Sequence, residues 1–336
     1  MAGLATVATG HIEEQSMTSD RIYPHRSPPV SYPPPVTVKT EVFARMPDNF
    51  RRRQRSEWAD ANRGGAPVDC FLEGPSFDRV GNLYVVDIPY GRIFKISPQG
   101  DWSLVTEYDG WPNGLKIHKD GRLFVTDYKR GIVAIEPASG KVSPVIVTKW
   151  SESFKGVNDL HFASSGDLYF TDQGQTGQHD PTGRVYRLRE PGTPAQKLEM
   201  IIGTVPSPNG LVLNKAEHIL FVAVTRANAV WRLPLMGDGS VSKAGTWIQL
   251  SGGHGGPDGL ALDDEGGLIC AHAGMGVWRF DVLGRPTHFM CEPGSFSTNI
   301  AFGGPGNKRL YITQSGDGTV EVADMPVAGK AMFAQM

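Results

Sequence analysis

The stretch NGLKIHKDGRLFVTD, residues 113–127, contains the pattern that decides the fold. One polar signal residue, Asn113, is followed by an alternating apolar run, a Lys119-Asp120-Gly121 turn and a second apolar run. The alternation and the turn predict a β-hairpin. Two further apolar runs, GIVAIEP and SPVIV, supply a third and a fourth strand. The unit therefore predicts one four-stranded sheet.

Comparable units occur six times along the chain. Subtracting consecutive signal positions gives spacings of 40, 45, 51, 49 and 40 residues, which is the period of a propeller blade. We therefore predict an all-β fold, a six-bladed β-propeller. The six signal residues are Glu73, Asn113, Asn158, Asn209, Asp258 and Thr298.

The chemistry of these signals predicts a metal in the central channel. If each signal opens the innermost strand of its blade, all six side chains point into one end of the channel. Converging oxygens bind hard cations, and no His or Cys stands in phase with them. We predict one divalent cation, Ca²⁺, bound by Glu73, Asn158, Asn209 and Asp258. The alternative is that the Asn-Gly and Asp-Gly pairs are only turn residues, and it stays open for Asn113.

A cation with open coordination positions acts as a Lewis acid toward a carbonyl or phosphoryl oxygen. The reaction also needs a base that deprotonates water. We predict Asp258 as this base, with Asn158 as a second catalytic residue. Because coordination to a cation lowers the basicity of a carboxylate, Asp159 is a second candidate, although strand alternation can send it to the other face.

Substrate-binding residues are expected near the strand starts. The candidates there are Trp111, Asn113, Phe154, His272, Phe296 and Thr298. Packing between blades is the alternative explanation for the aromatic members. In the sixth unit, Ile300 and Phe302 follow Thr298 at the spacing that apolar residues have after the signals of the other units, which identifies Thr298 as the signal. Asn299 is then one residue out and points away from the channel unless a bulge turns it.

The segments outside the repeat suggest the domain organisation. Residues 1–36 end in a proline cluster and are predicted to be a disordered leader. Residues 37–336 are predicted to form a single propeller, in which residues 37–69 are a closing strand and a connector. Within them VKTEVFA, residues 38–44, is the candidate closing strand beside the late segment TVEVADM. The insertion at 173–183 is expected to overhang one face of the disc.

Composition excludes several classes of protein. A net charge of −2 excludes a strongly basic nucleic-acid binder, and no apolar stretch is long enough to span a membrane. The three cysteines form no CxxC pair, which argues against a disulfide framework. The opening MAGLATVATG lacks the features of a secretory signal, so we expect a cytoplasmic protein. The sequence leaves homo-oligomer formation open.

Five motifs occur in order along the chain: EGPSFD (73–78), GVNDLHF (156–162), SPNGLVL (207–213), GPDGLALD (256–263) and IAFGG (300–304). As a set they resemble the family of regucalcin, gluconolactonase and luciferin-regenerating enzyme. The resemblance implies a six-bladed propeller with one divalent ion, usually calcium, and lactone hydrolysis as the commonest activity. It implies that Glu73, Asn209 and Asp258 bind the metal, that Asn158 lies close to metal and substrate, and that Asp258 is the base. Regucalcin-like members carry an Arg before the ND motif that contacts sugar lactone, whereas this chain has Lys155.

The predicted function is calcium-dependent hydrolysis of a small-molecule lactone. One alternative is a related esterase or phosphotriesterase that uses the same site. The other is a calcium-binding propeller without enzymatic activity. An enzyme needs an open coordination position and a nearby base, whereas a scaffold needs only the metal ligands.

Overall fold

A computed structural model of the protein describes residues 32–291 and 296–336. The chain divides after Pro33 into two units, and Pro34–Met336 is the second. This second unit contains six blades of antiparallel strands, so the predicted six-bladed β-propeller is confirmed. The leader predicted for residues 1–36 lies outside the described residues as far as residue 31.

The elements before the first blade are strands β1 (Val36–Lys39) and β2 (Glu41–Arg45) and helix α1 (Glu57–Asn62). Blade one contains β3 (Leu72–Phe77), β4 (Leu83–Asp87), β5 (Arg92–Ile96) and β6 (Trp102–Glu107). Blade two contains β7 (Pro112–Ile117), β8 (Leu123–Asp127), β9 (Gly131–Glu136) and β10 (Lys141–Ile146). A small hairpin follows, made of β11 (Thr148–Lys149) and β12 (Glu152–Ser153).

Blade three contains β13 (Val157–Phe162), β14 (Leu168–Asp172), β15 (Gly183–Arg189) and β16 (Lys197–Val205). Blade four contains β17 (Pro208–Leu213), β18 (Ile219–Val224), β19 (Ala229–Pro234) and β20 (Gly245–Gln249). Blade five contains β21 (Gly256–Leu262), β22 (Leu268–Ala273), β23 (Val277–Phe280) and β24 (Pro286–Cys291). Blade six contains β25 (Ser297–Gly303), β26 (Arg309–Gln314) and β27 (Thr319–Asp324).

Short 3₁₀ helices lie at Asp48–Phe50, Ile88–Tyr90, Thr225–Ala227, Pro305–Asn307 and Phe333–Gln335. Helix α1 has six residues, and Ser56 caps it by accepting a hydrogen bond from the Ala59 amide. No helix in the described part of the chain has the length and apolar character needed to cross a membrane.

The core lies between neighbouring blades. In β4, Leu83 and Val85 pack toward blade six, whereas Tyr84 and Val86 pack toward blade two. Successive side chains of a strand point to opposite faces, so a strand between two blades is apolar on both faces. This explains why the second strand of each blade reads as a nearly continuous apolar run. Buried clusters join every pair of neighbouring blades.

Each inner strand contains a β-bulge close to its start. In blade two, Pro112 pairs with Asp127 and Leu115 with Val125. An advance of three residues on β7 therefore matches an advance of two residues on β8. The inner strands of the other five blades show the same shift in register. A bulge lets two successive side chains face the same side of a sheet. Two positions per blade can therefore face the channel at this end.

The predicted closing segment is divided between two blades. Strand β2 pairs antiparallel with β27 and completes blade six. Strand β1 instead pairs parallel with β24, as a fifth strand of blade five. Phe43 packs edge-on against Tyr311, with ring centroids 5.0 Å apart. The two strands thus cover the outer edges of two neighbouring sheets, which would otherwise expose unpaired backbone groups.

The segment 326–336 crosses the lower face, opposite the signal residues. The Lys330 amide donates to Leu262 O in blade five, and Lys330 Nζ donates to Leu213 O in blade four over 3.2 Å. Phe333 stacks on Phe162 in blade three, and Arg79 in blade one donates to Ala334 O. The segment encloses a cavity of about 30 Å³ at the bottom of the channel. The lower end of the channel is therefore covered.

Ring closure yields a test by truncation. We expect a chain that begins at Pro34 to keep the stability of the full chain, because β1 and β2 remain. A chain that begins at Met46 loses both strands, the partly buried Phe43 and the buried Ala44, and its free energy of unfolding should fall by about 2 kcal/mol or more, the lower range for loss of a large apolar side chain. Urea denaturation measures both. Equal midpoints for the two truncated chains would show that the strands do not close the ring.

Candidate active site at the upper end of the channel

The six signal residues occupy equivalent positions at the starts of the inner strands. The ones buried in the channel are Glu73, Asn113, Asn158, Asn209 and Thr298. Asp258 keeps partial exposure. The preceding blade fixes two of these residues through their backbone. Thr126 donates to Asn158 O, and Thr171 donates to Asn209 O over 2.9 Å.

A second layer of side chains faces the channel one residue after the signal residues, and the sequence predicted it only in part. Asn299 Nδ2 donates to Glu73 Oε2 over 2.9 Å and to Asp159 Oδ2 over 3.4 Å. Both Asp159 and Asn299 therefore point into the channel, because the bulge turns each of them inward. Lys116 Nζ lies 3.8 Å from Asp159 Oδ1, on the lower side of this layer.

The upper channel concentrates negative charge. Burial raises the pKa of Glu73, and the nearby Asp159 carboxylate raises it further, against hydrogen bonds from the Gly74 amide and Asn299. Burial also raises the pKa of Asp258 well above its usual range, and Glu73 and Asp159 add to this shift. A hydrogen bond from Asn209 and the charge of Arg226 act in the opposite direction. Without a bound cation, the folded protein therefore favours protonated carboxyl groups here.

A hydrogen-bond network orients Asn158. Gln173 Oε1 accepts from Asn158 Nδ2 over 2.9 Å and from the Tyr128 hydroxyl over 2.7 Å. Gln173 Nε2 in turn donates to Ser207 Oγ over 2.9 Å. Asn158 Oδ1 is buried and has no hydrogen-bond partner among the described residues. The amide nitrogen is thus engaged by protein, and the oxygen remains available as a ligand.

A cavity of about 510 Å³ opens above this network, and we call it the mouth pocket. Its walls are Asn62 of α1, Tyr128, the loop 173–179, Ser207 and Arg226. The loop belongs to the blade-three insertion, which was expected to overhang one face. The other wall residues were missed by sequence reasoning. Tyr128 and Arg226 follow the second strands of blades two and four, and this shared location was the available signal.

Several predicted substrate-binding residues lie away from the mouth pocket walls. Trp111 is half-buried beneath Lys129, whose Nζ lies 4.9 Å from the ring centroid. Phe154 packs on Phe170 and Tyr186 within blade three. Phe296 is 38 % exposed at the start of blade six. A binding role for Trp111 stays a prediction, and the surroundings of Phe154 are those of ordinary packing.

The remaining candidates have identifiable surroundings. His272 is buried beneath the loop 251–255, its Nε2 has no hydrogen-bond partner among the described residues, and burial lowers its pKa. The Thr298 hydroxyl donates to Leu72 O over 2.8 Å and so ties blade six to blade one. Asn113 is buried on β7 within the ring of signal residues. Substrate contacts by these three residues remain predictions. Cys70 and Cys270 are buried free thiols.

The residues of the ring fit a hard cation. Two carboxylates, Glu73 and Asp258, converge with the amides of Asn158 and Asn209, and no hydrogen bond from the described residues engages the buried Asn158 oxygen. Within residues 32–291 and 296–336, no group of three or more His, Cys, Asp or Glu side chains is placed to hold a metal by itself. Any site here therefore depends on asparagine oxygens, which calcium accepts readily.

Comparison with known proteins agrees with this architecture. A Staphylococcus aureus protein, lactonase drp35, is 33 % identical over 248 residues, which cover 70 % of this chain and 73 % of the relative. A gluconolactonase structure from Xanthomonas campestris superposes with a TM-score of 0.68 at 22 % identity, over 85 % of this chain and 98 % of the other. The calcium-binding protein regucalcin from Agrobacterium tumefaciens gives a TM-score of 0.70 at 20 % identity, over 88 % and 98 %.

The family model of the SMP-30/gluconolactonase/LRE-like region matches residues 71–316, which span all six blades. The match begins just before β3, the inner strand of blade one, and ends just after β26 in blade six. The sequence motifs, the six bulged inner strands and this match agree, and the chain belongs to the SMP-30/gluconolactonase/LRE-like family.

Proposed function

We propose that this protein is a lactonase that hydrolyses a cyclic ester with the help of one divalent cation, Ca²⁺, at the upper end of the channel. One observation carries the proposal: buried carboxylates and an unpartnered amide oxygen converge in the channel, and Gln173, which binds Asn158 of this group, lines an open pocket. The curated relatives at about one-third identity are named lactonases, which supports the reaction class.

Glu73, Asn158, Asn209 and Asp258 would hold the cation. All four offer oxygen, the donor that calcium prefers and that zinc or copper sites seldom use alone. The carboxylates of Glu73, Asp159 and Asp258 carry three negative charges when ionised, and Lys116 is the basic side chain in contact with this layer. A divalent cation would balance the remaining two charges. When bound, it would supply a Lewis acid toward the lactone carbonyl.

Asp258 is the best placed of the carboxylates to act as the base. It keeps partial exposure to the channel mouth, whereas Asp159 is 2 % exposed and engaged by Asn299. Asp258 would accept a proton from water as the water oxygen bonds to the carbonyl carbon. It would return the proton to the ring oxygen as the acyl C–O bond breaks. The Gln173 network holds the Asn158 side chain steady beside this step.

The proposal is tested first by activity with and without metal. We expect the purified protein to hydrolyse at least one lactone of an aliphatic and aromatic panel, to lose turnover in EDTA and to recover it with Ca²⁺. Melting curves provide a second readout, because 100 times the dissociation constant of calcium should stabilise the fold by about 2.7 kcal/mol. Hydrolysis of paraoxon but of no lactone would indicate a phosphotriesterase. Calcium binding without any hydrolysis would indicate a scaffold.

Two substitutions separate the base from a simple ligand. Asp258→Asn keeps an oxygen ligand but removes the base, so turnover should fall roughly 10²- to 10⁴-fold and stay low at saturating calcium. Asn209→Ala should lose calcium affinity first and regain part of its turnover at high calcium. Steady-state kinetics with calcium titrations, and calorimetry for affinity, measure both effects. If Asp258→Asn recovers wild-type turnover at saturating calcium, the base lies elsewhere.

The raised carboxyl pKa values predict how the metal-free protein responds to pH. A folded state that raises the pKa of Glu73 and Asp258 binds more protons than the unfolded chain. Stability in EDTA should therefore fall as the pH rises above about 4, the unfolded carboxyl value. Glu73→Gln removes one ionisable group, so its free energy of unfolding should depend less on pH. At pH 8 this free energy should exceed that of wild type by about 1–3 kcal/mol.

Urea denaturation in EDTA between pH 5 and pH 8 measures this effect. Glu152→Gln, on the exposed strand β12, removes the same charge away from the channel and serves as the control. It should keep the wild-type slope. A wild-type slope in Glu73→Gln as well would show that Glu73 ionises freely and does not strain the metal-free channel.

A further inference from the structure

We infer that the mouth pocket selects lactones that carry a carboxylate group, and that Arg226 is the residue that binds this carboxylate. The inference deepens the proposed function and rests on it, because it names the substrate class of the same site. Its test includes binding measurements that do not depend on hydrolysis.

Arg226 is an exposed arginine without an internal partner. No hydrogen bond or ion pair engages its guanidinium among the described residues. The arginines at the starts of the third strands of blades one and three are engaged instead, since Arg92 pairs with Asp87 and Arg184 pairs with Asp172. Those carboxylates end the second strands of their blades, whereas the second strand of blade four ends in Val224. The fold thus leaves this one guanidinium free at the pocket wall.

The insertion loop braces the Arg226 side chain. A Cβ atom at Gly177 would lie 3.6 Å from Arg226 Cγ, so the aliphatic stem runs along the loop backbone. Arg226 lines the same pocket as Gln173, and Gln173 Oε1 accepts a hydrogen bond from Asn158 of the ring. The positive charge therefore stands within electrostatic reach of the reacting group that the cation would hold.

The rest of the mouth pocket suits a hydroxylated anion. Its walls supply the amides of Asn62 and Gln173, the hydroxyls of Tyr128 and Ser207, and a glycine-rich loop. No acidic side chain lines the pocket among the residues that the structure describes. Gln173 already bonds Tyr128 and Ser207, and Asn62 donates to Trp58 O, so the Arg226 guanidinium is the wall group that a neutral apolar lactone would cover without a partner. Covering it in this way costs binding energy. A substrate with one negative charge would supply that partner.

Charge balance indicates the same class of substrate. Three ionised carboxylates would be offset by a bound divalent cation and Lys116, which would leave the guanidinium of Arg226 in excess. One guanidinium matches one carboxylate in both charge and planar geometry and binds it through two parallel hydrogen bonds. A phosphate dianion would leave one charge uncompensated, because no second cation with a fixed charge lines the pocket among the described residues.

The experiment compares two lactones with the same ring. γ-Carboxy-γ-butyrolactone carries the carboxylate, and γ-(hydroxymethyl)-γ-butyrolactone replaces it by a neutral group of similar size. We expect wild type to favour the carboxylate lactone in kcat/KM, and Arg226→Gln to lower that preference about 10- to 100-fold, the effect of losing a charge-assisted hydrogen bond. The loss should fall mainly on KM, and Arg226→Lys should be intermediate.

Binding is measured separately by calorimetry in saturating calcium. The probes are tetrahydrofuroate and tetrahydrofurfuryl alcohol, which contain no lactone bond. Arg226→Gln should lower the affinity for the carboxylate probe by a similar factor, relative to the affinity for the alcohol. Arg232→Gln, which removes an exposed charge on β19 of the same blade, is the matched control and should bind both probes as wild type does.

The possible outcomes distinguish the two claims. If the carboxylate probe binds through Arg226 but neither lactone is hydrolysed, the carboxylate site stands and the proposed lactonase activity fails for this class. If wild type does not prefer the carboxylate compounds, or if Arg226→Gln and Arg232→Gln behave alike, the inference is wrong. A phosphorylated lactone bound more tightly than the carboxylate lactone would also overturn it.

Discussion

The β-bulge at the start of every inner strand is the constraint on which the rest of the site depends. It brings two successive positions of each blade toward the channel axis, where space is limited. Most deeper positions are glycine, because a side chain would meet the neighbouring strand. A Cβ at Gly114, for example, would lie 2.6 Å from Asp159 Oδ1. Only Asp159 and Asn299, from opposite blades, carry side chains there, and they meet each other.

This crowding has an electrostatic consequence. The bulge places the carboxyl groups of Glu73, Asp159 and Asp258 in one enclosed space, and burial together with mutual repulsion raises the pKa of Glu73 and Asp258. Buried like charges are costly unless a counterion joins them. The hydrogen-bond networks around the ring, which include Asn299 and Gln173, hold the side chains of the ring in place but add no positive charge. The fold is thus preorganised at a cost that a cation would relieve.

The repeat sufficed to predict the propeller and the ring of signal residues, because both follow from strand periodicity. The position of Asn299 could not be predicted with certainty, since a bulge changes the phase without an unambiguous local signal. Helix α1 was missed because its six residues carry too little periodicity. Roles for Gln173, which lies in the predicted insertion, and for Arg226 were missed as well. Both residues stand on connections that follow the second strand of a blade, and the conformation of such connections depends on contacts between blades rather than on local sequence.

The segment 326–336 crosses the lower face and is bonded there to blades one, four and five, so the opening described above the ring is the mouth pocket. A product formed at the ring would leave through this pocket. An opened hydroxy acid would therefore have to depart before the next ring could arrive, and exchange of the contents would set an upper limit on turnover. Solvent, ion and organic molecule would then share this passage, and the loop 173–179 supplies most of its lining.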